Sequence, residues 1–381
     1  MKIRILSVFS FSSIVILSTL VLGQIKLAEF QSCAHHWYDI PDKNMIIEPL
    51  DDKPRYKDSE ITKIADNILL FQKNNGGWAK NYDMQAILSP AQVKKVEEAK
   101  SLLNTTFDNG ATHSHLKFLA EVYTVTKDEK YKVAFLKGMD FIFAAQYKNG
   151  GWPQFYPDLK GYRKHITYND GAMIGVMIIL YNIISNDASY SFLPEDYISQ
   201  AKDAYNRGIE CILNTQIIED GKANVWCQQH DNITLLPTHA RAYELPSICN
   251  KESSQIVLFL MKIQNPSDEI KNAIHNSVIW FKESAISGIR IESIKAPTKD
   301  FKGRKSSTDK IVVEDKDAPL IWARFNELKT HVPLFCNRDG IIVYSLAEVA
   351  RERRTGYGWY TDEPREVLKK YPKWLEKNKL N

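Results

Sequence analysis

An all-α fold built from repeated helix pairs is what this chain of 381 residues predicts. Three observations carry that expectation. Apolar residues recur at helical spacing, as in SEITKIADNILLFQ, where Ile61, Ile64, Ala65, Ile68, Leu69 and Phe71 share one face. A helix, a glutamine and a glycine-containing loop ending in tryptophan return in that order, with equally spaced Trp78, Trp152 and Trp226 preceded by Gln72, Gln146 and Gln216. Strand-like alternation is scarce, with short β pairs expected only near residues 311–313 and 340–344. The repeat is longer than the helix hairpin of roughly 35 to 45 residues that builds a helical solenoid. Each repeat therefore holds a helix pair with a long excursion between its helices. Such pairs either close into a toroid whose rim loops form a groove, or stack as an open superhelix.

The chain opens on a targeting segment. Lys2 and Arg4 precede an apolar stretch over residues 5–22, and Gly23-Gln24 offers a cleavage point. Residues 1–23 read as a secretory signal peptide, which implies a secreted or periplasmic protein with no stable membrane insertion after cleavage. An uncleaved membrane anchor is the competing reading. Residues 24–57 read as an irregular lead-in, and helical patterning begins near Ser59. The first helix stops at Gly76-Gly77. Further helices are expected over residues 113–126, 171–185, 253–262 and 268–287. The polar stretch 295–316 reads as a long surface loop, and the basic tail 361–381 carries Trp374 and Leu375 as anchors of a last helix. The content is 44% hydrophobic and 25% charged, which describes a globular protein. A net charge of +4 makes no case for nucleic acid, and a monomer is expected. The five cysteines show no metal-ligand spacing and read as buried thiols.

The chemistry centres on two turns, FDNGA and YNDGA, each standing before a helical run. Asp108 and Asp170 are either helix caps or two carboxylates of a site for a hard cation such as calcium, which takes oxygen ligands. Their recurrence in two repeats favours the cation. Arg241, in HARAYELPS, either pairs with Glu244 or Asp231 on a loop or aims its guanidinium into the groove. Arg324, Arg338, Arg351, Arg353 and Arg354 follow near the C-terminal end. Guanidiniums bind carboxylates in bidentate fashion, so this row suits a polyanion with acid groups. A solvated helix face with Glu348 and Glu352 as partners is the plainer reading for Arg351 and Arg353. In NGGWPQFYP, Phe155 and Tyr156 are the candidates for stacking on a sugar, whereas Trp78 and Trp152 read as wedges between repeats.

Taken together, NNGGWAKN, FDNGATHSHLKFLAEVY, QYKNGGWPQFYP, HITYNDGAM, ARAYELPS, IWARF, NRDG and RERRTGYGWY resemble, in order and over about residues 58–362, the pectate lyases of polysaccharide lyase family ten. The resemblance implies an (α/α)3 toroid-like catalytic domain over residues 58–381, with long loops forming a substrate groove and a few short β strands. It implies calcium-dependent β-elimination of α-1,4-linked polygalacturonate to 4,5-unsaturated oligogalacturonates. By motif, Asp170 and Asp108 then become calcium ligands, Asn109 a groove residue and Arg241 the base. Lys310, Arg324 and Arg338 become contacts to substrate carboxylates. The chain departs from the family pattern at Ala79 and at His113 and His115, the last two at positions where groove contacts would change. The competing functions are a glycoside hydrolase on an α/α toroid, which needs two carboxyl groups flanking the bond, and a non-catalytic polyuronate-binding protein. A terpene-cyclase-like helical barrel is disfavoured by the export signal and the absence of an acidic DDxxD run.

Overall fold

The computed structural model describes residues 25, 27, 31–39, 45–301 and 305–378. The signal-peptide reading falls outside the described residues. In chain order the α-helices are α1 (Gln31–Asp39), α2 (Ile61–Phe71), α3 (Pro90–Glu98), α4 (His113–Thr126), α5 (Glu129–Ala145), α6 (Ala172–Ile184), α7 (Glu195–Asn214), α8 (Asn250–Leu260), α9 (Asp268–Glu283), α10 (Arg351–Gly356) and α11 (Pro364–Lys377). The strands among the described residues are short except for one pair. The chain divides into two compact units, Met1–Ala144 with Tyr181–Ala201, and Ala145–Leu180 with Lys202–Asn381.

Within the first unit, α1 lies in the stretch expected to be irregular. Its Cys33 and Trp37 are buried, and Cys33 Sγ donates to the Asn109 carbonyl at 3.2 Å. α3 begins with a capping box, Ser89 and Gln92 each bonding the other's backbone N–H, and with Pro90 at its first position. Trp78 is fully buried, donates Nε1–H to the Ile68 carbonyl at 2.8 Å and stacks on His115 at 5.1 Å. His115 is thus a core residue rather than a groove contact, and burial drives its pKa down to about 3.

The helix–Gln–loop–Trp pattern has a mechanical meaning. Gln72 Nε2 donates to Gly76 O and Ala134 O, both at 2.8 Å. Gln146 Nε2 makes the same pair to Gly150 O at 3.0 Å and Ala204 O at 2.9 Å, and Gln216 to Asn224 O at 2.9 Å and Ala273 O at 3.2 Å. Each amide closes its own loop and ties it to a later helix, satisfying carbonyls that burial would otherwise strand. The indoles of Trp226 and Trp322 bond the Ile212 and Phe281 carbonyls, both at 2.7 Å, as Trp78 bonds Ile68. Trp322 is a further turn of the pattern that the sequence hides, because a ribbon lies between α9 and this tryptophan.

That ribbon replaces the expected surface loop. Two strands, Ile289–Asp300 and Lys305–Glu314, pair antiparallel with a register shift between Lys295 and Lys299. Both faces carry exposed residues, and the apolar alternation that identifies a half-buried strand is confined to the short run Ile289-Arg290-Ile291-Glu292. The ribbon is fixed near its middle, where Arg351 donates to the Ser306 and Thr308 carbonyls at 3.2 and 3.0 Å and Arg354 pairs with Asp309 at 2.7 Å. Arg351 and Arg354 are therefore anchors of the ribbon. In the second unit α8 packs against α9 and α11. A separate apolar cluster of Tyr243, Phe325, Phe335, Leu346 and Trp359 lies under the loops that carry the arginines.

Gly76 and Gly150 occupy the tight loops at φ of +91° and +88°, where an added Cβ would stand 2.0 Å from Lys137 O and 1.9 Å from Arg207 O. Gly150→Ala should therefore lose more than the ~1–3 kcal/mol of backbone strain alone, because carbonyl overlap is added to it. Gly221→Ala, at φ +77° with open space around it, should lose only the strain. Thermal unfolding of the two variants checks the order.

Candidate active site

The two Asx-Gly turns are both 3₁₀ turns, but their carboxylates are not equivalent. In Asp108–Gly110 the left-handed residue is Asn109 at φ 52°; in Asn169–Gly171 it is Asp170 at φ 51°. The turns match and the carboxylates are offset by one residue, which corrects the expectation of matching points. Asn and Asp tolerate this backbone because a short polar side chain can bond locally. In the first unit Asp108 is buried and forms an ion pair with Lys80, and Asn109 donates Nδ2–H to Asn81 Oδ1 at 3.3 Å.

In the second unit the short strands decide what meets what. The short strand Ile248–Cys249 pairs with Phe325–Asn326, and Trp322–Ala323 pairs with Tyr360–Thr361. Arg324 is the residue between Trp322–Ala323 and Phe325–Asn326. Its backbone N–H bonds Trp359 O at 2.7 Å and its carbonyl accepts from Asn250 N at 2.9 Å. The side chain so held is buried, not displayed in a groove. Nη2 donates to Asn169 Oδ1 at 2.8 Å and to the buried carboxylate of Glu252, on the first turn of α8. Asn169 in turn donates Nδ2–H to Asp170 Oδ2 at 2.8 Å, while Lys251 Nζ stands 3.8 Å from Asp170 Oδ1. Burial acts to lower the Arg324 pKa, and Glu252 outweighs it, so the guanidinium stays charged.

Arg241 lies on an exposed loop and faces Glu244, one of the two partners considered from sequence. Its Nε donates to Glu244 Oε2 at 2.7 Å, Nη2 bonds Oε1, and the backbone N–H adds a third contact at 3.1 Å. Tyr357 donates its hydroxyl to the same carboxylate at 2.8 Å, and its ring lies 4.7 Å from the Arg324 guanidinium carbon and 5.9 Å from that of Arg241. Burial pulls the Arg241 pKa down, but the bidentate carboxylate raises it further, so the net direction is up. A lowering by cationic neighbours is not what this geometry produces. Tyr243 carries three guanidiniums around its ring, Arg353 at 4.8 Å, Arg241 at 5.0 Å and Arg338 at 5.6 Å. Arg338 and Arg353 share Glu352, and Arg353 is buried rather than on a solvated face. Lys310 lines a half-open cavity of about 250 Å³ with Ser293, Arg354, Tyr357 and Tyr360. Tyr156 is half-buried in its loop.

A protein-family model described as pectic acid lyase matches residues 72–368. The chain belongs to the pectic acid lyase family. Two solved structures agree, each with a TM-score of 0.69 and each covering 84% of this chain and 93% of its own. One is the Family 10 polysaccharide lyase from Cellvibrio cellulosa, at 30% identity. The other is an aspartate-to-alanine mutant of a Family 10 polysaccharide lyase from Cellvibrio cellulosa in complex with trigalacturonic acid, at 29% identity. No curated protein matches significantly. As a pectate lyase this chain is an enzyme, which removes the purely binding alternative.

Pectate lyases generally depend on calcium, and the residues present can be tested against that ion. Among the described residues no three His, Cys, Asp or Glu side chains cluster as a metal site. Asp170 offers hard carboxylate oxygen at the surface, whereas Asp108 is engaged by Lys80. Calcium takes roughly six to eight oxygen ligands. Asp170 fits it only as one ligand among several, the rest supplied by water and by a bound molecule's own carboxylates.

Sequence reasoning missed Lys80, Lys251, Glu252 and Tyr357. Their roles depend on partners far along the chain; Lys80 and Tyr357 stand within NNGGWAKN and RERRTGYGWY, whereas Lys251 and Glu252 stand in none of the motifs. Glu352 offers a pH test. Hydrogen bonding from Arg338 is the main cause that holds its pKa down to about 2, from 4.5. A depressed carboxylate stabilises the fold above its unfolded pKa and loses that contribution as pH falls. Thermal midpoints should therefore fall between pH 4.5 and 2 more steeply in the parent than in Glu352→Gln.

Proposed function

We propose that this pectate lyase cleaves α-1,4-linked polygalacturonate by β-elimination at the Asp170–Arg324–Arg241 cluster, with Arg241 as the base. The observation that carries it is the concentration of guanidiniums around Tyr243 and Tyr357, each balanced by a carboxylate of the protein. A polyuronate brings carboxylates of its own, so it can exchange for these partners at little electrostatic cost. Trigalacturonic acid bound to the Cellvibrio cellulosa relative supports the substrate class.

The C5 proton lies α to a carboxylate anion, so its removal requires that the developing negative charge be stabilised. Arg338, exposed beside Tyr243, and Lys310 in its cavity are the cations placed to bind uronate groups. Asp170 and, in the first unit, Asp108 are the carboxylates assigned to calcium, which when bound would supply Lewis-acid neutralisation of that carboxylate. Arg241 is gripped through Nε and Nη2, which leaves Nη1 to face the substrate. Base action draws on the neutral form of this guanidine, whose share grows with pH. Nη1 takes the C5 proton, the C–H pair forms the C4–C5 double bond, and the C4–oxygen bond breaks as the leaving oxygen gains a proton from solvent.

Arg241→Ala should reduce formation of the ultraviolet-absorbing unsaturated product by on the order of 10²–10⁴-fold, with polygalacturonate binding retained in a co-sedimentation assay. Near-normal turnover would exclude Arg241 as the base. Excess chelator should stop the reaction and added calcium restore it. Undiminished turnover in protein shown to be free of metal would reject the calcium role.

A further inference from the structure

Glu252 is fully buried and ionised. Burial alone would raise its pKa, yet the charge of Arg324 holds it below the usual value. The carboxylate spends one oxygen on Arg324 Nη2 and the other on the thiol of Cys249. Taking two charges out of water is costly, and a well-packed apolar pair of the same volume is often as stable or more so. The ion pair is therefore poorly explained by stability alone. Its geometry gives another account. The same Nη2 that bonds Glu252 bonds Asn169 Oδ1, and this fixes which end of the Asn169 amide faces Asp170. The Nδ2–H must then point at Asp170 Oδ2, at 2.8 Å. The Asn169 backbone is held independently by Gln228 O at 3.1 Å. Every link from Glu252 to Asp170 is a directional bond, and the first three residues of the chain are buried.

We propose that Glu252 is a positioning residue for the elimination, acting through Arg324 and Asn169 to set the orientation of the Asp170 carboxylate. The proposal rests on the reading of Asp170 as part of the catalytic site. Nothing about it requires Glu252 to touch substrate. It predicts that loss of the Glu252 charge lets Arg324 rotate, frees the Asn169 amide to flip, and unlocks a surface carboxylate some residues away in sequence.

Glu252→Gln keeps the side-chain shape and removes the charge. The test is a crystal structure of the variant together with steady-state kinetics on polygalacturonate, with Asp170→Asn run in parallel. Expected are loss of the Asn169–Asp170 hydrogen bond with α8 unmoved, and a fall in kcat of about 10–100-fold with KM little changed. Glu252→Asp, which restores the charge, should recover part of the loss. An Asp170 carboxylate in its parent orientation, an unchanged kcat, or a loss confined to KM overturns the proposal. If Glu252→Gln does not fold, Asn169→Ser breaks the same relay near the surface and is read by the same criteria. Full activity in Asp170→Asn would instead overturn the reading of Asp170 itself, whatever Glu252 does.

Discussion

The buried pair between Arg324 and Glu252 is the constraint on which the arrangement of charged groups in the second unit depends. A guanidinium inside a protein must be matched by charge and by directed acceptors, because an uncompensated buried charge costs about 3–5 kcal/mol. Arg324 meets that demand with Glu252 and Asn169. Its position is imposed by backbone, since the short ladders of Ile248–Cys249 with Phe325–Asn326 and of Trp322–Ala323 with Tyr360–Thr361 hold the residues on both sides. With Arg324 fixed, Asn169 and the face of Tyr357 are fixed as well. Tyr357 then carries the constraint on to Glu244 and Arg241.

A second principle is charge pairing held in reserve. Arg241 faces Glu244, Arg338 and Arg353 face Glu352, Arg354 faces Asp309, and Lys80 faces Asp108. Such pairing keeps clustered cations from repelling one another. It also keeps the arginines charged, which suits binding to a polyuronate and, with Arg241 as the proposed base, makes proton abstraction the demanding step. The exposed pairs, as at Arg338, contribute little to stability and are the ones a polyanion can open. The buried pair at Arg324 is not.

The scaffold follows from a simpler rule. Each Gln–loop–Trp unit satisfies buried carbonyls with its amide, the indoles of Trp78 and Trp226 satisfy one more apiece, and each unit buries a large ring. The rule was legible at Gln72, Gln146 and Gln216 because nothing interrupts the loops there. It was illegible at Trp322, where the ribbon intervenes. Of the ribbon, only the β pairing near residues 311–313 was expected, and the rest read as a polar loop because both of its faces carry exposed residues. His113 and His115 looked like altered groove contacts, yet His115 stacks on Trp78 in the core, since a histidine's side depends on helix phase and packing.

The sequence by itself determined the helical class, the repeat, the family motifs and the two Asx-Gly turns, because each is written in residues close together along the chain. It also named Arg241 and Asp170 and left Arg241's partner open between Glu244 and Asp231. Only the tertiary structure decided that Arg324 is buried rather than displayed, that Glu252 holds it, that Asp108 is ion-paired with Lys80, and that Arg351 and Arg354 anchor a ribbon. Those outcomes depend on strand ladders and ion pairs between residues tens of positions apart or more. Burial and charge balance at such distances are properties of the packed molecule, and no local pattern encodes them.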